Sequence, residues 1–294
     1  MKIFITGGTG FVGRPIVRLF LRAGHSVIVL TRDTRRAADI FTHNRKLRFI
    51  KGDLSIPTIL KSKIKKFKPD VCVHLAWAGI PDYGIDMSLK NMKEGINLLR
   101  ILSEIGCKRI VCSGSCWEYG PASTGKFKED LGLFPSTPFT AAKTAVHWFG
   151  KDIAKNVGIE FVWARIFFVY GPGQKSLSLI PQLVKRKNNG LVSKLNNPLG
   201  GNDFVYVEDV ARAFYKLATL RLRSQYELYN IGSGKMISNA RIANIVYGNR
   251  VLREPGRPVG FCADISKIKK DTGWRPRFNI VRGVRLTITG NNKL

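Results

Sequence analysis

The feature of this sequence that most constrains its fold is a glycine-rich turn near the start of the chain. An apolar run, Lys2–Thr6, leads into the sequence GGTGFVG at Gly7–Gly13, and an amphipathic helical pattern continues to Ala23. Glycines at such a point permit a tight turn, close backbone approach to a pyrophosphate and close packing of the helix on the strand. The helix N-terminus adds free N–H groups and a partial positive charge. The turn therefore predicts a dinucleotide site, with the cofactor-binding residues Gly7, Gly10, Phe11, Val12 and Gly13.

Strand-like apolar runs alternate with longer helical patterns through the first half of the chain. The strand patterns are Lys2–Thr6, Ser26–Thr31, Arg48–Ile50, Val71–Leu75, Arg109–Ser113 and Glu160–Ala164. The helical patterns are Phe11–Ala23, Pro57–Phe67, Leu89–Ile105 and Phe139–Asn156. Because crossovers between parallel strands are nearly always right-handed, this alternation predicts an α/β fold of the Rossmann type, with a doubly wound parallel sheet.

The pattern changes after Tyr170. A segment rich in Lys, Asn and Gly is followed by a strand and a helix over 204–219, another helix near Asn239–Val246 and a basic terminal segment. We therefore expect a dinucleotide-binding domain over 1–170 and a smaller C-terminal α/β substrate lobe over 171–294, with some exchange of chain between them.

The end of the second strand indicates which dinucleotide binds. A cofactor without the extra phosphate is usually held here by an acidic residue on the ribose 2′-hydroxyl. This chain has Thr31 and Arg32 instead, with Asp33 one residue further on. A guanidinium suits a 2′-phosphate in charge and geometry, so we predict NADP(H) rather than NAD(H).

Composition indicates a folded protein with neither a membrane span nor a metal site. Hydrophobic residues make up 44% of the 294 residues and charged residues 23%. We find neither an apolar stretch of the roughly 20 residues that a bilayer requires nor signal-peptide features, and we expect a cytoplasmic protein. The 5 cysteines and 4 histidines lack the spacing of a disulfide framework or a zinc site.

The positive charge is the unusual bulk property. With 49 Lys and Arg against 20 Asp and Glu, the formal net charge is +29. Such a charge favours an anionic partner, which can be a dinucleotide, a nucleotide diphosphate, a nucleic acid or an anionic surface. A highly cationic proteome of the host explains the charge equally well. The aromatic and basic alternation of RNA-recognition modules is missing, so nucleic-acid binding is the weaker interpretation.

Ordered motifs along nearly the whole chain resemble one enzyme group. The matching segments are Gly7–Gly13, Gly52–Leu54, Val73–Ala76, Asn97–Leu99, Ser113–Gly120, Arg165–Gly173, Asp203–Ala211 and Ala263–Lys267. They resemble the extended short-chain dehydrogenase/reductase superfamily, in particular its NAD(P)-dependent nucleotide-sugar epimerase/dehydratase group. The resemblance implies cofactor contacts from Asp53, Leu54, Leu75 and Ala76, and substrate contacts from Ser115, Phe168 and Arg257.

The resemblance also implies catalytic residues, one of which is replaced. The family uses a Tyr as general base, a Lys four residues later that lowers the pKa of that Tyr, and a Ser or Thr at a strand end. Ser115 and Lys143 match two of these positions, and Lys143 would also bind the nicotinamide ribose. The Tyr position holds Phe139, which cannot carry a proton. General acid–base help contributes roughly 10²–10⁴ in rate, so the replacement matters.

Three interpretations of Phe139 stay open. Another group can replace the Tyr, the second lobe can bind a nucleotide sugar without turnover, or the fold serves a different partner. The residues considered as substitutes are Thr140, Cys116, Tyr119, Glu118 and His147. His147 is expected to be a surface residue of its helix and Cys116 a buried thiol.

Two departures from the family's motifs limit the reactions that we expect this chain to catalyse. The 4,6-dehydratases of the group carry an acidic pair after the catalytic Thr, where this chain has Cys116 and Trp117. The family binds the substrate diphosphate with two Arg residues. Asn202 replaces the first of them, and Arg257 matches the second. The expectation is therefore an epimerase or 4-ketoreductase of glycan or surface-polysaccharide synthesis that acts on a nucleotide diphosphate sugar. The alternative is a non-catalytic dinucleotide-binding sensor or scaffold, and by analogy with the family we expect a homodimer.

Overall fold

The computed structural model describes residues 1–121, 124–191, 195–248, 252–254 and 256–291. The strands are β1 (Lys2–Thr6), β2 (Ser26–Thr31), β3 (Leu47–Lys51), β4 (Val71–His74), β5 (Arg109–Ser115), β6 (Gly125–Phe127), β7 (Glu160–Ile166), β8 (Phe168–Tyr170), β9 (Gly200–Asn202), β10 (Phe204–Tyr206), β11 (Tyr226–Ile231), β12 (Ile237–Ser238) and β13 (Val259–Ala263). The helices are α1 (Gly13–Arg22), α2 (Thr34–Ile40), α3 (Pro57–Phe67), α4 (Ile85–Glu104), α5 (Pro138–Val157), α6 (Leu179–Asn188), α7 (Val207–Thr219), α8 (Asn239–Tyr247), α9 (Ser266–Thr272) and α10 (Ile280–Asn291).

The chain divides into two units. The first comprises Met1–Pro121, Gly132–Arg165 and Ala211–Tyr229. The second comprises the described parts of Ala122–Leu131, Ile166–Val210 and Asn230–Leu294. The units thus differ from the contiguous ranges 1–170 and 171–294. The described part of 122–131 and residues 166–170 group with the second unit, and residues 211–229 group with the first.

A mostly parallel sheet forms the centre of the first unit. Within the described residues its strand order is β11-β7-β5-β4-β1-β2-β3. Strands β1, β2, β3, β4 and β5 pair in parallel, with Ile3 opposite Val27 and Ile5 opposite Val73. The strand order reverses at β1, so β2 and β4 flank it, and ligands of such sheets bind at the carboxyl ends beside this point. The predicted Rossmann-type α/β fold is confirmed.

Apolar side chains explain why these elements pack on the sheet. In α1 the side chains of Ile16, Val17 and Phe20 are all buried, as expected for one face of an amphipathic helix. Burying one such side chain contributes about 1.5–3 kcal/mol. A further core cluster of this unit includes Phe4, Ile28, Leu98, Leu99, Ile110, Phe161 and Trp163.

The predicted elements of the first unit recur with shifted ends. Helix α1 begins at Gly13 rather than Phe11, because the turn before it is closed by a hydrogen bond from Gly10 N to Gly7 O. Helix α4 begins at Ile85 rather than Leu89, with Asp86 placed favourably in its first turn. Strand β5 continues past Ser113 to Ser115. Helix α2 was not predicted; Asp33 caps it, and it buries Ala37 alone.

The second unit has its own sheets and core. Its strands form a sheet in the order β12-β9-β13-β6 and a parallel β8–β10 pair. Its core gathers Tyr170, Ile180, Leu183, Phe204, Tyr206, Ile242, Val246 and Val284. Helix α6 lies in the Lys- and Asn-rich segment, and α9 and α10 lie in the basic terminal segment.

Neither a membrane-spanning helix nor a cluster of metal ligands is found in the described part of the chain. No helix there is long and apolar enough to cross a bilayer. The same residues contain no group of three or more His, Cys, Asp or Glu side chains that could hold a metal ion. All the cysteines, Cys72, Cys107, Cys112, Cys116 and Cys262, are buried.

Candidate functional site

The glycine turn brings three backbone segments together at the carboxyl end of β1. Gly7 has a φ of 70°, and its carbonyl oxygen accepts a hydrogen bond from Gly10 N at 3.0 Å. A Cβ on Gly7 would lie 2.8 Å from the backbone nitrogen of Ala76, and a Cβ on Gly13 would collide with the Gly7 oxygen. Glycine at both positions therefore permits α1 to start close against β1 and the residues after β4, where a larger side chain does not fit.

The start of α1 is suited to an anion. No side chain caps this helix, and its first turn has no acidic residue. A Cβ at Gly10 would find one described atom within 4 Å, the Gly7 oxygen at 3.2 Å, so the outer face of the turn is open. Arg14 donates from Nε to the Thr9 oxygen at 2.9 Å. Burial, and then the nearby Arg18 and Arg36, lower the pKa of Arg14. This concentration of N–H groups and positive charge fits a dinucleotide pyrophosphate.

An arginine and an aspartate follow β2, and the aspartate is hydrogen-bonded to the backbone of the next helix. Asp33 accepts a hydrogen bond from Arg36 N at 3.0 Å and so caps α2. Thr31 Oγ1 donates to the Asp33 carbonyl oxygen at 3.0 Å. The Arg32 side chain is exposed at the same point. The guanidinium of Arg32 is therefore more available to bind a ligand than the carboxylate of Asp33, which already accepts a hydrogen bond.

The residues after β3 and β4 occupy the predicted cofactor edge of the sheet. Asp53 accepts from Ser55 N at 2.9 Å. This hydrogen bond is the main cause of the lowered pKa of Asp53, and Lys90 and Arg32 act in the same direction. Ala76 N donates to Thr6 Oγ1 at 3.3 Å, and Leu54, Leu75 and Ala76 are half-buried. Asp53 thus remains an ionised acceptor at this edge.

Lys143 lies beside the end of β5, the strand that carries Ser115. Its Nζ donates to the Ser113 carbonyl oxygen at 2.9 Å and lies 4.0 Å from the centroid of the Trp77 ring. Burial lowers the pKa of Lys143 to about 8, against the opposing effects of Glu118 and Cys112. The half-buried Ser115 accepts a hydrogen bond from Trp117 N at 3.2 Å. The strand end thus presents an ammonium group and a hydroxyl.

Phe139 is surrounded by an aromatic cluster, which consists of Phe139, Trp77, Tyr83 and Trp117. The centroid of the Phe139 ring lies 5.3 Å from that of Trp77, 5.0 Å from that of Tyr83 and 6.2 Å from that of Trp117. The indole Nε1 of Trp77 is buried and has no hydrogen-bond partner in the described structure. Burial raises the pKa of Tyr83. The position that holds the family's Tyr is therefore apolar, with two unused polar groups at its edge.

The structure shows how the proposed substitutes for that Tyr are engaged. Thr140 Oγ1 donates to the Thr137 carbonyl oxygen at 3.0 Å and accepts from Thr137 N at 3.0 Å, so it completes the capping box that Thr137 forms at the start of α5. Tyr119 is buried beneath the Arg165 guanidinium, 4.6 Å from its ring. Cys116 is also buried.

Glu118 and His147 are likewise part of the interior. Glu118 accepts hydrogen bonds from Ser115 N at 2.6 Å and from Arg165 Nε at 3.0 Å, and it is fully buried. His147 bonds to the Tyr226 hydroxyl and stacks on Trp163, with ring centroids 5.0 Å apart. Burial lowers the pKa of His147 to about 3. The expectation of a surface histidine was wrong, because His147 lies on the buried face of α5 with Phe139 and Lys143.

Two of the predicted substrate residues, Phe168 and Arg257, lie in the second unit, whereas Ser115 ends β5 in the first unit. Phe168 is half-buried in β8, and its ring centroid is 6.2 Å from those of Phe204 and Phe261. Arg257 is exposed in the bend before β13. Asn202 ends β9 opposite Phe261 of β13. Roles for Phe168 and Arg257 in substrate binding stay predictions.

Three residues of the candidate site were missed in the sequence. Arg14 directly follows the last glycine of the turn, so its charge near a pyrophosphate was visible in the motif. Trp77 and Tyr83 lie in the loop after β4, which has no periodic pattern. Their contacts with Phe139 arise from tertiary structure, and nothing local in the sequence signals them.

Comparison with known proteins identifies the family. The sequence profile of the NAD dependent epimerase/dehydratase family matches residues 3–232. The chain belongs to this family. The resemblance inferred from the motifs is thereby confirmed, and so is the expectation of an enzyme at the level of the family, whose members are epimerases and dehydratases.

Individual relatives match this family member along nearly their whole length. A UDP-glucose 4-epimerase of Lacticaseibacillus casei is 28% identical over 95% of this chain and 93% of its own length. A probable dTDP-glucose 4,6-dehydratase of Sinorhizobium fredii is 24% identical over 98% and 92%. The crystal structure of a Thermotoga maritima UDP-glucose 4-epimerase with UDP-glucose has a TM-score of 0.86 at 23% identity, and the match covers 100% of this chain and 99% of that one. This last likeness establishes the shared fold.

Proposed function

We propose that this family member is a nucleotide-sugar epimerase or 4-ketoreductase that acts on a nucleotide diphosphate sugar. The observation that carries the proposal is the position of Lys143, which is hydrogen-bonded to the strand that also carries Ser115. A cation and a hydroxyl at the carboxyl end of β5, in the sheet whose β1 leads into a pyrophosphate-binding turn, suit hydride transfer at a sugar carbon.

Each element of the site has a part in this mechanism. A bound nicotinamide dinucleotide would supply the hydride chemistry. The turn Gly7–Gly13 would hold its pyrophosphate, Asp53 its adenine and Lys143 its nicotinamide ribose. Ser115 would orient the reacting sugar oxygen. Because the pKa of Lys143 is about 8, this residue is protonated in most molecules at neutral pH. Its positive charge then stabilises an anionic oxygen nearby.

The residues after Ser115 favour epimerisation or ketone reduction over 4,6-dehydration. Dehydration needs side chains that move protons at two further sugar carbons, and the positions in question hold Cys116 and Trp117. The thiol of Cys116 is buried, and the indole of Trp117 has no acidic proton for this purpose. A role in glycan or surface-polysaccharide synthesis follows from the proposed substrate class.

The test is incubation with UDP-, dTDP-, GDP- and CDP-linked sugars and with their 4-keto forms. Mass and proton NMR spectra would detect epimerised or reduced products. The proposal expects at least one substrate to be converted. Failure of all of them with cofactor demonstrably bound would contradict it.

The proposed cofactor within the NAD-dependent family is NADP(H). The exposed Arg32 and the nearby positive charge of Arg14, Arg18 and Arg36 support a 2′-phosphate, whereas Asp33 is used as the cap of α2. Fluorescence titration with both reduced cofactors tests this preference. Tenfold tighter binding of NADH than of NADPH would reverse it.

A second candidate function, a non-catalytic dinucleotide-binding protein, is favoured by Phe139. Its ring is buried among aromatic side chains and offers no proton. The variant Phe139→Tyr discriminates between the two candidates. If only the variant converts nucleotide sugars, the natural chain is a binding protein.

We further propose a cytoplasmic homodimer that associates through α4 and α5. Trp148 and Phe149 of α5 are each 53% exposed, and Leu89 and Ile85 of α4 are exposed as well. Apolar side chains of this size on neighbouring helices are typical of an interface. The buried cysteines, which lack the spacing of a disulfide framework, are compatible with a reducing compartment.

A further inference from the structure

The loop between β4 and α4 brings the phenol ring of Tyr83 into contact with Phe139, the residue that replaces the family's Tyr. The ring of Tyr83 packs against that of Phe139 at a centroid distance of 5.0 Å and an interplanar angle of 65°. It also lies 5.6 Å from the Trp117 ring, and the backbone N–H of Trp117 donates to Ser115 Oγ at 3.2 Å. Tyr83 is thus a neighbour of both Phe139 and the residues that position Ser115.

The other proton-carrying groups near Phe139 are buried or engaged. The Thr140 hydroxyl belongs to the capping box of α5, and the Glu118 carboxylate is held by Ser115 N and Arg165. Tyr119 and Cys116 are buried in the protein interior. Tyr83 is half-buried, so part of its side chain faces solvent and can meet a ligand. Among these groups Tyr83 alone combines contact with Phe139 and accessibility.

We propose that Tyr83 replaces the missing tyrosine and donates the proton to the sugar oxygen during ketone reduction. This inference rests on the proposed function and adds the identity of its proton donor. It requires the hydroxyl of Tyr83 to lie over the sugar bound beside Ser115, on the side of the Phe139 ring.

The step balances as a two-electron reduction. The carbonyl carbon of a 4-keto sugar accepts a hydride from a reduced nicotinamide dinucleotide, and the C=O π bond breaks. The Tyr83 O–H bond breaks as its proton moves to the carbonyl oxygen, which becomes a hydroxyl. The ketone is reduced, the dinucleotide is oxidised, and the Tyr83 phenolate recovers a proton from water. A phenol is protonated at neutral pH and so carries the proton that this step transfers. Burial raises the pKa of Tyr83 and makes it a weaker acid, so the transfer depends on the position of the hydroxyl beside the sugar oxygen.

The test compares the native chain with Tyr83→Phe, Phe139→Tyr and the double variant, assayed on 4-keto sugars with bound cofactor. We expect Tyr83→Phe to lose about 10²–10⁴ in kcat, because it removes general acid help. The double variant should recover much of this loss, since it returns a hydroxyl to α5 beside Lys143. Tyr215→Phe is the matched control, because Tyr215 packs against Phe20 and His25 and should leave kcat unchanged. Circular dichroism and cofactor titration check that each variant folds.

A second readout does not depend on turnover. Nitration of Tyr83 by tetranitromethane, followed by peptide mass mapping, should slow when NADPH and UDP-glucose are both bound. Tyr215 is the internal reference and should react at an unchanged rate. Equal nitration of Tyr83 with and without ligands would overturn the proposal.

The outcomes distinguish failure of the role given to Tyr83 from failure of the proposed enzymatic function. If the native chain converts 4-keto sugars and Tyr83→Phe is equally active, Tyr83 is not the donor while the proposed function stands. The role of Tyr83 is likewise refuted if the double variant recovers nothing. If the native chain converts no nucleotide sugar, the proposed function fails and this inference fails with it.

Discussion

The charge of Lys143 depends strongly on its surroundings. It is buried at the end of β5 with one hydrogen bond to Ser113 O and the face of Trp77 over its ammonium group. Desolvation dominates, so the native state holds the proton of Lys143 less tightly than the unfolded chain does. This difference has a consequence for stability that can be measured without cofactor.

The free energy of unfolding should rise with pH where Lys143 is neutral in the native state and charged in the unfolded state. That window extends from its native pKa of about 8 to its unfolded value of 10.5. In it the unfolded chain binds more protons, and the full rise is roughly 3 kcal/mol. Urea unfolding at several pH values should show this rise, and Lys143→Met should lack it. Parallel pH profiles in the two proteins would contradict the buried position.

The exposed Arg32 should set the affinity for the 2′-phosphate. A hydrogen bond to a charged group contributes about 1.5–3 kcal/mol, so Arg32→Ser should weaken NADPH binding roughly ten- to hundredfold. The Kd for NADH should change little. Arg35→Ser, at another exposed arginine of the same region, is the matched control. Equal losses for both cofactors, or equal effects of both substitutions, would argue against a phosphate contact.

The residues of the site differ in how far the sequence reveals them. Gly7, Ser115 and Lys143 belong to motifs with fixed spacing, and the alternating pattern places Gly7 and Ser115 at strand ends and Lys143 on a helix. Tyr83 belongs to no motif, and its contact with Phe139 depends on how the loop after β4 folds back. Local pattern carries no information on such a contact.

Helix α5 is the element that aligns the site. Thr137 caps it, Pro138 occupies its first turn, and Gly158 ends it with a φ of 78°. These are the residues that helix starts and ends prefer, so the bounds of α5 could be predicted closely. The spacing of Phe139, Lys143 and His147 puts all three on one face, and all three are buried.

The cap of α5 should contribute measurably to stability. Thr137 Oγ1 accepts from Thr140 N at 3.2 Å, so Thr137→Ala should lower the free energy of unfolding by about 1 kcal/mol. Thr42→Ala changes an exposed threonine in the same way and should have little effect. Urea denaturation of the three proteins measures both values. Equal stability of Thr137→Ala and the native chain would show that the cap is dispensable.

The elements that the sequence did not reveal are short or weakly patterned. Helix α6 buries Ile180, Leu183 and Val184 in a segment otherwise dominated by polar residues. Helix α10 lies in a basic segment, and its apolar side chains find partners in the core of the second unit through Val284. In both helices tertiary packing supplies the stability that a local pattern does not show.

At the scale of the whole molecule, the exposed aromatic residues of α5 bear on assembly. If α4 and α5 form a homodimer interface, Phe149→Glu should place a charge in it and shift the protein to monomer in sedimentation experiments. Leu177→Glu, at a leucine that is 70% exposed in the second unit, should leave the assembly unchanged. A native chain that sediments as a monomer at high concentration would contradict the proposed dimer.

The central claim is that the glycine turn of the first unit binds a nicotinamide dinucleotide. The most direct measurement is a fluorescence titration of the intact, folded chain with NADPH and NADH. We expect saturable binding of one reduced dinucleotide per chain, with tighter binding of NADPH. A folded chain that binds neither cofactor would contradict the account, because the roles given to Lys143, Ser115 and Tyr83 all depend on that bound dinucleotide.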